Sequence, residues 1–133
     1  MTIPADFTVS RWFAYKGDFC GHHRIVVVYE TNEDVQYFIV TSQIEKAEIR
    51  SHFDKESLVK ISPSDWDQIT CPSCIECSKR NLKQISKSEM QKKYDVWDCK
   101  NIGEIPEVLK KRILNAICAS VTYSEREKQM YMR

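Results

Sequence analysis

Gly21-His22-His23-Arg24-Ile25-Val26-Val27-Val28-Tyr29-Glu30-Thr31-Asn32-Glu33-Asp34-Val35-Gln36-Tyr37-Phe38-Ile39-Val40-Thr41-Ser42-Gln43 is the stretch that decides the fold. Residues 25–30 are apolar on both faces of an extended chain, which suits a central strand. Thr31, Asn32, Glu33 and Asp34 are turn formers. Residues 35–41 are a second run, and the short loop between the two predicts an antiparallel hairpin. A basic cluster opens one strand and a hydroxyl cluster closes the next. Pairing brings Arg24 and Thr41 to the same end of the sheet. A guanidinium, imidazoles and hydroxyls converging there, without an acidic metal cage, suit a phosphodiester.

Working outward, Val9, Arg11, Phe13 and Tyr15 alternate with Ser10, Trp12 and Ala14, predicting a first strand over 9–15. Two of the three glycines, Gly17 and Gly21, flank the 17–23 loop, where the backbone needs freedom. Downstream, 44–50, 58–61 and 75–77 read as further short strands, with a turn at 62–65. Ser86-Lys87-Ser88-Glu89 has the form of a capping box and starts a short helix through Tyr94. Pro106 sits where a first helical residue is tolerated. After it, Val108, Leu109, Ile113, Ala116, Ile117 and Val121 recur at helical spacing, leaving Lys110, Lys111 and Arg112 for solvent. The reading is one domain over 1–123 and a charged, frayed tail over 124–133. Short strands followed by a terminal helix predict a mainly β fold: a bent sheet or barrel capped by helices.

The chain has 133 residues, 42% apolar and 29% charged, which fits a folded globular protein rather than a disordered one. A formal net charge of +1 excludes wholesale coating of nucleic acid, so any such contact must be a local patch. No apolar run approaches the length of a membrane span. The first residues lack a secretory pattern, so a cytoplasmic location is the expectation.

Six cysteines in such a chain are expected as thiols rather than disulfides. Cys118, inside the helical pattern, reads as a core residue. Cys71 and Cys74 have zinc-knuckle spacing and Cys77 adds a third thiol, with Cys20, Cys99, His22 or His52 available to complete a site. The second close pair usual for zinc is missing. An iron–sulfur run would need cysteine where Asn81 stands. No metal or other cofactor is therefore assigned. Trp12, Phe13, Trp66 and Trp97 suit core packing more than base stacking.

The order of elements resembles the PemK/MazF-like toxin family, small ribonucleases with an SH3-like barrel and a C-terminal helix. Four places carry the resemblance, over roughly 11–123. His23-Arg24 before the valine-rich strand is similar to the family's Gly-His-Arg-Pro segment. Residues 38–43 resemble its strand ending in an apolar residue, Thr and Ser. Residues 57–90 resemble its later strand, loop and short helix, with 75–80 in the place of a Lys/Arg-bearing strand. Residues 102–123 resemble its terminal helix. This chain has Ile25 where the family usually has Pro, and Gly17-Asp18 follows the first strand instead of preceding it.

The resemblance implies a metal-independent endoribonuclease acting on single-stranded RNA by 2′-OH attack. Arg24 would stabilise the phosphorane-like transition state, since a guanidinium holds two phosphate oxygens at once. Thr41 and Ser42 would position the phosphate, and His23 would move the proton. Gln43, His22 and Arg80 would bind RNA. The implied partners are RNA and a cognate antitoxin that blocks the groove; a homodimer is compatible and a membrane is not. The alternatives are a catalytically silent barrel used as a protein- or nucleic-acid-binding module, and a zinc-stapled adaptor built on the cysteines.

Overall fold

A computed structural model describes residues 8–19, 22–96 and 98–133. Cys20, Gly21 and Trp97, and the side chains of His22 and His23, lie outside the described residues. The elements in order are β1 (Phe13–Phe19), β2 (His22–Glu30), β3 (Asp34–Thr41), α1 (Ile44–Arg50), β4 (Leu58–Ile61), β5 (Ser73–Glu76), β6 (Lys83–Ser86), α2 (Lys87–Asp95), β7 (Cys99–Glu104), α3 (Glu107–Ala119) and α4 (Glu125–Tyr131).

The hairpin forms as expected. β2 and β3 pair antiparallel, with Arg24 opposite Val40, Ile25 opposite Ile39 and Val26 opposite Phe38. Thr31 closes the turn, its Oγ1 accepting the Asp34 N–H at 3.0 Å. Around this hairpin the strands follow the order β4-β5-β3-β2-β1-β7. β3 divides its second edge: Val40 and Thr41 pair with β5, and residues 34–37 pair with β6. The fold is mainly β, a seven-stranded antiparallel sheet with helices, and the described pairings do not close it into a barrel.

Strand alternation sorts the core into two layers. One face of β2 and β3 presents Val26, Val28, Phe38 and Val40 to Leu109, Ile113 and Ile117 of α3. The other presents Ile25, Val27, Val35 and Tyr37, covered in part by Met90 of α2. The three α3 side chains are essentially fully buried, and each contributes roughly 1.5–3 kcal/mol by leaving water. The predicted stripe is right at its centre. Its flanks, Val108 and Val121, are 64% and 76% exposed.

Four expectations change. Residues 44–50, read as a strand, form α1, because Ala47 is buried and Ser51 follows one turn later. The first strand starts at Phe13 rather than Val9, since Trp12 has φ 70°, outside the β region. The 17–23 loop is shorter than expected, because Gly17 lies within β1. A Cβ on Gly17 would stand 2.2 Å from the Asp98 carbonyl oxygen, so close approach of backbone, not turn freedom, requires this glycine. Residues 124–133, read as a frayed tail, contain α4, with a full capping box between Ser124 and Glu127. Tyr131 is buried there, its hydroxyl donating to Gln36 Oε1. Arg11 Nη2 donates to the Tyr131 carbonyl. The short helix α2 is capped as predicted, Ser86 Oγ accepting the Glu89 N–H at 3.1 Å.

No helix is long and apolar enough to cross a membrane among the described residues.

Candidate functional site

Thr41 ends β3 on the face that also carries Ile39, and the chain then turns directly into α1. Thr41 Oγ1 accepts the Gln43 backbone N–H at 3.1 Å, fixing the turn and leaving the hydroxyl proton to donate. Arg50, the last residue of α1 and about two turns on, comes back toward β5. Its Nη2 meets Glu76 Oε2 at 2.7 Å and its Nε meets Oε1 at 3.2 Å, a two-point grip on one carboxylate. Ser51 Oγ adds a longer bond to Oε1 at 3.4 Å. The grip pushes the guanidinium pKa further up, so Arg50 stays charged. Glu76 uses both oxygens on Arg50, which has further N–H groups left to donate.

Thr41, Arg50 and Glu76 line one concavity of about 350 Å³, together with Ile39, Gln43, Asn81 and Lys83. Asn81 Nδ2 donates to Ser78 Oγ at 2.8 Å, which leaves its carbonyl oxygen as an acceptor. Arg50 and Asn81 also border a shallower recess with Arg80. Three cations against one carboxylate make this an anion-accepting surface with a hydroxyl and two amides. Such groups bind a phosphate and read base edges.

The expected site residues separate into groups. Thr41 and Gln43 share the concavity, and Arg80 adjoins it. Ser42 is exposed and borders a different shallow depression with Gln43 and α1. Arg24 does not converge with Thr41. It pairs with Val40, whose side chain is in the α3-side core, whereas Thr41 lies on the opposite, Ile39 side. Side chains alternate along a strand, so the two residues share an end of the sheet but not a face. His22 and His23 fall in β2, and their side chains lie outside the described residues.

Sequence reasoning missed Arg50, Glu76, Asn81 and Lys83. For Arg50 a signal was present. Gln43, Ala47, Arg50 and Ser51 share one helical side, which a reading of 44–50 as strand hides.

Among the described residues, no cysteine lines this concavity. Cys74 is buried and its thiol is pushed up to about 11 by that burial; Cys77 is fully buried, and its thiol is raised well above the ordinary value. Burial favours the neutral thiol over the nucleophilic thiolate at both positions. Cys71 and Cys118 are exposed, so Cys118 is not the core residue expected. Among the described residues, no group of three His, Cys, Asp or Glu is placed to hold a metal ion.

No protein-family model matches the chain, and no curated protein matches it.

Proposed function

We propose that this chain is a metal-independent endoribonuclease of the PemK/MazF toxin type, taking single-stranded RNA into the α1-side concavity. The observation that carries the reading is the shared recess of Thr41, Gln43, Arg50 and Lys83. On this proposal the open β sheet with its terminal helices is a variant of the family's SH3-like barrel. Arg50 takes the charge-stabilising role that the resemblance gave to Arg24, and Glu76 holds its guanidinium in place. The Thr41 hydroxyl and Lys83 hold the phosphate; Gln43, Asn81 and Arg80 hold the flanking nucleotides.

The substrate's 2′-OH loses its proton and bonds to the adjacent phosphorus. The P–O5′ bond breaks, and the leaving oxygen takes a proton. The products are a 2′,3′-cyclic phosphate and a 5′-OH. His23 keeps the proton-transfer role implied by the resemblance. A cognate antitoxin would occupy the recess in a cytoplasmic toxin–antitoxin pair.

A second reading is favoured by one observation, the placement of Arg24 and Thr41 on opposite faces. In it the same recess binds RNA without cutting it. One experiment separates the two. The full chain is incubated with single-stranded RNA in chelator, beside the same oligomer carrying 2′-methoxy groups. Cleavage of the first alone, with cyclic phosphate ends, supports the nuclease. Tight binding without cleavage supports the binding module. Neither binding nor cleavage removes both.

A further inference from the structure

Across the sheet from the concavity, three cations stand in one cross-strand row. Lys16 of β1 is directly opposite Arg24 of β2 on one side and Lys100 of β7 on the other. The alternation that puts Ala14, Val26 and Ile102 on the α3 side puts these three on it too. Lys16 and Lys100 are exposed, and Arg24 is half-buried. None of the three forms an ion pair among the described residues.

Two costs follow. Like charges directly opposite one another in a sheet repel. Independently, Arg24 Nε is buried with no hydrogen-bond partner, and an unsatisfied buried donor is expensive. A line of phosphates neutralises the row and favours an outward turn of the Arg24 side chain, in which Nε leaves its unpartnered burial. Adjacent strands lie about 4.8 Å apart, so the row runs for roughly 10 Å, an extended track rather than a point. Arg24 and Thr41 occupy the same end of neighbouring strands. A strand of RNA leaving the concavity past Thr41 therefore needs only to cross the sheet end to reach Arg24, then Lys16, then Lys100.

We infer that the row Arg24–Lys16–Lys100 is a second RNA-binding surface, which grips the phosphate backbone beyond the recess. This rests on RNA being the ligand of the recess. Its role is affinity for longer strands, not the chemistry.

The test uses the Lys16→Gln/Lys100→Gln double variant and 2′-methoxy RNA of two lengths, about three and about twelve nucleotides. Single-strand binding weakens with salt by a slope of about 0.7 per phosphate neutralised. The wild type should lose about 1.4 of that slope in the variant on the long oligomer and nothing on the short one. Lys16→Arg/Lys100→Arg should restore the slope, and a glutamine variant that melts no lower than the wild type shows that the fold is kept. A wild type that cuts RNA but whose long-oligomer slope is the same in the variant overturns the second surface alone. A wild type that cuts nothing, yet shows the predicted slope change, removes the nuclease and keeps the surface. Failure to bind either oligomer overturns both.

Discussion

Arg50 and Glu76, twenty-six positions apart in the chain, are joined by a two-point hydrogen-bonded ion pair of 2.7 and 3.2 Å. The pair ties α1 to β5 and builds the wall of the concavity. Its partners are unequal: the Glu76 side chain is 10% exposed and that of Arg50 50%. The carboxylate is the fixed end, and the guanidinium faces water or ligand.

That asymmetry makes the pair a better probe of function than of stability. Glu76→Gln should lower stability by only about 1 kcal/mol, because Arg50 remains hydrated when its partner is neutralised. Denaturant titration checks this. In the nuclease reading, Arg50→Ala should lower kcat/KM about a hundredfold or more, and Arg24→Ala should lower it far less. The reverse order would return the charge-stabilising role to Arg24.

The terminal helix α4 should behave as folded structure. Ser124→Ala removes the acceptor for the Glu127 N–H and should cost about 1 kcal/mol. In hydrogen exchange, the amides of 128–132 should be protected in the wild type and less so in the variant. Wild-type amides there exchanging as fast as an unfolded peptide would restore the frayed tail.

Alkaline pH should unfold the chain earlier than its charge alone suggests. Burial raises the thiols of Cys74 and Cys99 to about 11 from an ordinary 9.0, and the Tyr15 hydroxyl to about 12 from 10.0. Between pH 9 and 11 the unfolded thiols lose protons while the folded ones keep them. The unfolded state then binds fewer protons, so stability falls as pH rises, by up to about 1.4 kcal/mol per pH unit for each thiol. Below pH 9 these thiols contribute no slope. Denaturant midpoints from pH 8 to 11 test this, and Cys74→Ser should flatten the decline.

Gly17→Ala should destabilise by roughly 1–3 kcal/mol, because the Asp98 backbone must move away from the new methyl. Thermal melts beside an exposed control such as Lys111→Ala give the comparison.

Where the sequence was readable, a strong local pattern agreed with the final packing. The hairpin has two apolar runs and a polar turn. α2 has a capping box, and the stripe of α3 is regular. The unread elements lack such a signal. β6 and β7 are polar, Lys83-Gln84-Ile85-Ser86 and Cys99-Lys100-Asn101-Ile102-Gly103-Glu104, so their pairing depends on neighbours that the sequence does not name. α1 is seven residues long, and its apolar Ile49 is 75% exposed, so no regular buried stripe marks it as a helix. α4 carries the same Ser-x-x-Glu signature as α2, and its charge obscured it. The site divided in the same way. Thr41 and Gln43 sit beside the hairpin, close in sequence to the pattern that was legible; Glu76 and Lys83 reach the recess only through long-range pairing.

The division of β3 between β5 and β6 gives the sheet the plan of a cleft stick. On the edge of β3 away from β2, Phe38 and Ile39 have no strand partner and lie in the crotch of the split. One prong carries Glu76, locked to α1; the other carries Lys83 and leads into α2. Anything seated in the crotch therefore touches two prongs that pair with β3 and not with each other, linked by the short 77–82 connection, and acts as a wedge or a clasp between them. In the RNA-binding readings it should be a clasp: adding 2′-methoxy RNA should slow amide exchange in β6 more than in β2, whose two edges are already paired. Equal protection of both strands would mean that the prongs are rigid without a ligand.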